Sequence, residues 1–263
     1  MRIKNVTVGA DPELFIINTK TNQVVSAIGI IPGEKGKPYT KGMPKGFGVE
    51  LDCILGEFNI PPCTSLNDFV GSIQYMKNWI RNWVKQYDTN LDICCKASMP
   101  VPEDQLLDPR ANEIGCMSDY NAYTERENDK PNGYPNNTRV SGFHIHVGYS
   151  NPDFDTSIKL IKFFDLCCGV PSMLYDDDTF RRTLYGKAGS FRLPKYGVEA
   201  RCLSSFMLND EYLPLIYKQT MLAIDMVNDE LPLPEGDLVQ KCINTSNKVL
   251  AEHLIKLYGI CVD

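Results

Sequence analysis

Five times in this chain, two charged or metal-ligand side chains stand two positions apart with an apolar or small residue between them. They are Asp11 and Glu13 around Pro12, Glu50 and Asp52 around Leu51, Glu57 and Asn59 around Phe58, His144 and His146 around Ile145, and Glu199 and Arg201 around Ala200. On a helix, residues two apart do not face each other, whereas on a strand they share a face. The pattern therefore asks for strands with one polar and one buried face. A sheet that merely met solvent would fill its polar slots with Lys, Thr, Ser and Gln. Here they hold carboxylates, imidazoles and a guanidinium, which implies a shared concavity.

The surrounding sequence supplies the strands. Ile3–Val8, Glu13–Asn18, Val24–Ala27, Phe47–Asp52 and Leu55–Ile60 are rich in Val, Ile and Phe and are separated by Gly, Pro and Asn. Leu66, Phe69, Val70, Ile73, Met76, Ile80, Trp83, Val84 and Tyr87 then form one apolar stripe with helical period, with Ser65 as N-cap. Asp92–Val101, Gly142–Tyr149, Ser190–Leu193 and Val198–Leu203 read as further strands. Thr156–Cys168, Ser172–Leu184, Asp210–Glu230 and Leu238–Tyr258 read as helices, with Pro214 tolerated in a first turn. Residues 103–140 are polar and irregular, as a functional flap would be. No repeat or linker divides residues 1–263, which are expected to form one α+β domain. Its antiparallel sheet would have helices on the buried face, the last of them within residues 209–263.

Composition narrows the function. With 27 Lys+Arg against 33 Asp+Glu the net charge is −6, which argues against a nucleic-acid partner. Residues 158–175 are broken by Lys159, Lys162 and Asp165, so no membrane span is expected. Ten cysteines include no CxxC, and the adjacent pairs Cys94–Cys95 and Cys167–Cys168 sit in apolar runs. They read as reduced, buried thiols of a cytoplasmic protein.

Clustered acids repel unless cations neutralise them, and hard carboxylate oxygens with an occasional imidazole suit Mg²⁺ or Mn²⁺ better than Zn²⁺. A second constellation is Arg181, Arg182, Arg192 and Arg201, with Tyr185-Gly-Lys-Ala-Gly189 among them. Guanidinium forks match phosphate oxygens, and arginines beside metal-binding acids are what phosphoryl transfer needs. For Arg181-Arg182 the competing reading is a helix end that favours cations. No Walker-A loop, G-x-S-x-G elbow or G-x-G-x-x-G fingerprint is present. His253 reads as a surface or packing residue.

Gly9-Ala-Asp-Pro-Glu-Leu-Phe15, the Glu-Phe-Asn-Ile-Pro-Pro run at 57–62, Gly142-Phe-His-Ile-His-Val-Gly148, Tyr185-Gly-Lys-Ala-Gly189 and Gly197-Val-Glu-Ala-Arg201 occur in this order. The set resembles the phage-encoded carboxylate–amine ligases (amidoligases) of the glutamine synthetase and glutamate–cysteine ligase superfamily, over about residues 8–210. The resemblance implies a glutamine-synthetase-like sheet whose concave face binds ATP, Mg²⁺ or Mn²⁺ ions, and small-molecule or peptide carboxylate and amine substrates. It implies metal ligands at Asp11, Glu13, Glu50, Glu57, His144 and Glu199, with Asp11 departing from the commoner Glu. His146, Arg181, Arg182, Lys187 and Arg192 would face the nucleotide, and Arg192, Arg201 and Glu57 would serve catalysis. Asp52 and Asn59 have no secure counterpart.

The implied reaction is amide formation through an acyl phosphate, with residues 103–140 or the loop at 33–46 as a lid against water. A guanidino-type phosphotransferase on the same sheet, a metal-dependent hydrolase and a non-catalytic phage-associated binding protein are the rival readings.

Overall fold

Strand β1 (Thr7–Asn18) is the centre of the sheet, and its length comes from two predicted strands merging through Asp11-Pro12. Pro12 has no N–H to give a neighbour. It falls at the last pair with β10 (Phe143–Gly148), after which β1 takes β2 (Gln23–Val25) and β5 (Leu91–Cys94) as partners. On its other side β1 meets β4 (Leu55–Asn59), which forms a hairpin with β3 (Gly48–Asp52). In this computed structural model, residues 2–113, 119–129 and 131–262 are described. Among them the large sheet is antiparallel. Its path runs β3-β4-β1-β10, then β12 (Gly197–Ala200), β11 (Ser190–Arg192), β7 (Tyr120–Asn121) and β8 (Arg126–Glu127). A separate pair joins β6 (Ser98–Pro100) to β9 (Thr138–Val140). Sheet and helices together make the expected α+β architecture.

The residues between the polar pairs face the core. Ile145, Phe58 and Ala200 are buried in one core with helices α1 (Leu66–Val84) and α2 (Phe154–Phe164), and α5 (Leu213–Asn228) packs on those two helices. Helix α1 buries Phe69, Ile73, Met76, Ile80 and Val84, and Ser65 caps it by accepting from Asp68 N at 3.1 Å. Tyr87, expected on the stripe, lies beyond the helix and is exposed.

Several elements differ from expectation. The predicted strand 92–101 splits into β5 and β6. The predicted helix 172–184 reduces to two short turns, α3 (Val170–Ser172) and α4 (Arg181–Leu184). The acids between them are used for tertiary bonds: Ser204 Oγ donates to Asp176 at 2.6 Å, and Ser98 Oγ donates to Asp178. The predicted last helix divides into α6 (Gly236–Asn244) and α7 (Lys248–Tyr258), because Ser246 adopts φ 47° and Asn247 caps the new start at Leu250 N. Within residues 103–140, β7 and β8 extend the sheet edge and Arg139 is buried, donating to Ala111 O and Asn112 Oδ1. Parts of that segment are therefore tied to the fold, while about half of its described residues are exposed.

The described cysteines are all free thiols. Cys94 and Cys95 are half-buried and Cys261 is exposed, whereas Cys63, Cys167, Cys168, Cys202 and Cys242 are buried. Cys116 lies outside the described residues. Among these residues, no helix is long and apolar enough to cross a membrane.

Candidate active site

Register turns the sequence pattern into a surface. Residues directly opposed across an antiparallel pair share a face. Glu50 opposes Glu57, and Glu57 opposes Glu13. Two residues along β1, Asp11 opposes His144. His146 opposes Glu199, which opposes Arg192. Six strands thus carry the polar residues across one face in connected rows.

The rows open into a cavity of about 450 Å³ lined by Asp11, Glu13, Lys35, Gly36, Glu50, Asp52, Glu57, His144, Arg192 and Arg201. Two trios converge within it. One is Asp11, His144 and Glu199, and the other is Glu13, Asp52 and Glu57, each with ligand atoms within 4.8 Å of one another. Asp11 Oδ1 lies 3.3 Å from His144 Nδ1 and 2.9 Å from His146 Nε2. Arg192 and Arg201 both donate to Glu199 Oε1, at 2.6 and 2.5 Å. Glu13 Oε2 accepts from Gly142 N at 2.7 Å and from the Tyr185 hydroxyl at 3.0 Å. From the loop, Lys35 Nζ reaches Asp52 Oδ2 at 2.7 Å, and Gly36 N donates to Glu50.

The trios differ in charge. Burial would raise Asp11, but His146 and His144 outweigh it and hold the carboxyl well below its ordinary range. Burial and Asp11 raise Glu199, and His144 with the two arginines overcomes them, so it too is lowered. Burial would lower His146, yet Asp11 raises it. In the other trio the sign reverses. Glu57 is pushed well up by burial and by Asp11, Asp52 and Glu13. Glu13 is raised by burial with a contribution from Asp52, against His144. Burial likewise raises Glu50, against the Gly36 N–H. One trio holds its charge stably. The other is crowded with acids short of counter-charge.

Both donor sets fit divalent ions that prefer oxygen. The first offers two carboxylates and an imidazole whose ring nitrogens have no hydrogen-bond partner among the described residues; the second offers three carboxylates, with Asp52 Oδ1 likewise unpartnered.

Of the residues marked in the sequence, Asp11, Glu13, Glu50, Glu57, His144, Arg192 and Arg201 line the cavity, and Glu199 joins them through the first trio. His146 stands at the border of a second, more apolar cavity of about 300 Å³ that Asn59 and Tyr196 also line. Arg181 and Arg182 do not reach either cavity. Both are buried: Arg181 donates to the carbonyls of Cys202 and Arg201, and Arg182 to that of Asp178. Neither lines the two cavities, where the resemblance had them facing a nucleotide. Lys187 is exposed and lines neither cavity. Asp52 gains a place beside Glu13 and Glu57. Lys35 and Tyr196 carried no signal of their own, and Tyr185 entered only as the first residue of a motif. Asp119 was equally silent, and its Oδ2 stands 3.6 Å from Arg201 Nε.

The antiparallel sheet gathers acids, imidazoles and arginines on one face, as the resemblance to the amidoligases implies. Residues 132–236 match the family model described as phage phiEco32-like COOH·NH2 ligase, type 2. Over that span the chain is similar to this family. The span carries His144, His146, Arg192, Glu199 and Arg201. Asp11, Glu13, Glu50, Asp52 and Glu57 lie outside it and join the site through the sheet. No curated protein matches the chain.

Proposed function

We propose that the protein is an ATP-dependent carboxylate–amine ligase that forms an amide through an acyl phosphate, with Mg²⁺ or Mn²⁺ held by the two trios. The observation that carries this reading is the strand register, which brings both trios and two arginines into one cavity. Bound there, divalent ions would supply positive charge to offset that of the phosphates. Asp11, His144 and Glu199 would hold one ion, and Glu13, Glu57 and Asp52 another.

A carboxylate is a poor acyl donor because an oxide would have to leave. Phosphorylation makes phosphate the leaving group when the amine attacks. Arg192 and Arg201 are fixed by their shared acceptor on Glu199, and Arg192 Nε has no partner among the described residues. They are poised to meet charge on a phosphoryl group in transfer. His146 is held between Asp11 and the Tyr196 hydroxyl, 2.5 Å from its Nδ1, and its raised pKa favours the cation a phosphate would meet. The apolar cavity beyond it, with Tyr196 stacked on the imidazole, has the size and character for a flat base.

The test is incubation with ATP, Mg²⁺ and pooled carboxylates and amines, followed by mass spectrometry. New amides should appear with ADP and phosphate. Glu13→Gln and Glu199→Gln should lose turnover by more than about a hundredfold while keeping their circular dichroism. Undiminished turnover in both variants would refute the assignment, and a stable phosphoguanidine with no amide would favour a guanidino-type phosphotransferase.

A further inference from the structure

Glu13 is 2 % exposed and Asp52 is 6 % exposed, and with Glu57 they bring three ligand oxygens within 4.8 Å. Burial raises the cost of each charge, and their mutual repulsion adds to it. Among the described residues one cation pairs with this trio: Lys35, whose Nζ is 2.7 Å from Asp52 Oδ2. Asp52 Oδ1 is left with no hydrogen-bond partner, so the ammonium does not exhaust the donor set.

The ammonium is delivered on a small tether. Glu34 and Lys37 bond each other's backbone across a tight turn, with Gly33 at φ 88° and Gly36 at φ 76°. The turn touches the acids through Lys35 and through Gly36 N on Glu50, while the Lys35 side chain remains 44 % exposed. Just beyond it the chain is anchored. Tyr39 pairs with Val49 and packs at a tilt against Trp79 and Trp83, and Trp83 donates to Ile30 O. The tip can thus move while its roots stay fixed.

We propose that Lys35 is a tethered cation that holds the Glu13–Asp52–Glu57 cluster and is exchanged for a divalent ion, so that metal loading lifts the 34–37 tip from the site. This rests on the metal-dependent reading above. A divalent ion brings twice the charge and can take oxygens from all three carboxylates, whereas the ammonium pairs with one. The two cannot share Asp52 Oδ2. Exchange also removes the ion pair that keeps the tip on the acids and leaves it only the Gly36 N–H bond to Glu50, so the mouth of the cavity opens as the site becomes competent.

The full-length protein, Lys35→Met and Lys37→Met are titrated with Mn²⁺ alone, and the free ion is followed by electron paramagnetic resonance. In parallel, an amine-reactive ester labels lysines with and without Mn²⁺, read by mass spectrometry. The proposal expects two bound ions in all three proteins, with the weaker one tightened about fivefold by Lys35→Met and unchanged by Lys37→Met. It also expects Mn²⁺ to raise the labelling of Lys35 at least severalfold while that of Lys41 stays constant. Unchanged affinity in Lys35→Met, equal tightening in Lys37→Met, or Lys35 labelling indifferent to a second bound ion would overturn the exchange and leave the ligase reading standing. Absence of Mn²⁺ binding in every protein would overturn both.

Discussion

Asp165 is a carboxyl enclosed by the core. It is 1 % exposed, on the π-helical turn that continues α2, and accepts from Gly189 N at 2.5 Å, just ahead of the strand that carries Arg192. Burial pushes it up to about 7 against the hydrogen bonds of Cys202, Gly189 and Tyr123. An unfolded Asp titrates near 4, so between about pH 4 and 7 the folded chain binds more protons than the unfolded one. The stabilisation is complete below that window and is lost as pH rises through it. Asp165→Asn can still accept from Gly189 and carries no charge. Relative to the variant, the native protein should lose up to about 4 kcal/mol from pH 4 to 8. Urea denaturation of both proteins at several pH values would measure this, and a pH-independent difference would rule it out. None of this was legible in the sequence, where Asp165 only interrupts an apolar stretch. Lys35 was equally hidden, because a loop has no period from which to read direction. The five pairs were legible because strand geometry fixes where side chains point, and Asp52 inherits its face from Glu50.

At the level of elements, what was legible was what depends on local period. Helix α1 announced its stripe and its cap. Gly71 sits on its exposed face with nothing within 4 Å of where a Cβ would be. Gly71→Ala should therefore stabilise the protein by about 0.5–1 kcal/mol, seen as a higher denaturation midpoint with unchanged Mn²⁺ binding. The C-terminal helix was overrun because Thr245-Ser246-Asn247 breaks it through a left-handed residue and a cap, short-range choices that an apolar period passes over. Gly142 shows an element serving the site. A Cβ there would stand 2.6 Å from His144 Nε2 and 3.2 Å from Arg181 NH2, so the bend into β10 leaves room for the imidazole. Gly142→Ala should displace His144 from Asp11 and weaken Mn²⁺ binding at that trio about tenfold, with secondary structure retained by circular dichroism. Unchanged Mn²⁺ affinity would show that the site tolerates a moved imidazole.

Across the whole molecule the two faces of the sheet have opposite energetics. The buried face carries Phe58, Ile145 and Ala200 in one core with α1 and α2, on which α5 packs, and favours folding through apolar burial. The other face concentrates Glu13, Glu50, Asp52 and Glu57 around one cavity with Lys35 beside them, and the repulsion among these acids opposes folding. Glu57 is where this conflict is sharpest, since burial and then Asp11, Asp52 and Glu13 all push it up. Its neutral form is favoured in the fold, so stability without metal should fall as pH rises above the ordinary carboxylate range. Glu57→Gln keeps the shape and removes the charge. Without divalent ions it should melt higher than the native protein at pH 7.5, by roughly 2–4 °C for each kcal/mol of repulsion relieved. With Mn²⁺ the order should reverse. A ligand that binds only the folded state stabilises it by mass action, and the variant forfeits part of that term. Calorimetry in chelator and in millimolar Mn²⁺ would decide. A variant that melts lower in both would mean that Glu57 is held by contacts stronger than the repulsion around it, and a metal response as large as the native one would remove Glu57 from the ligands.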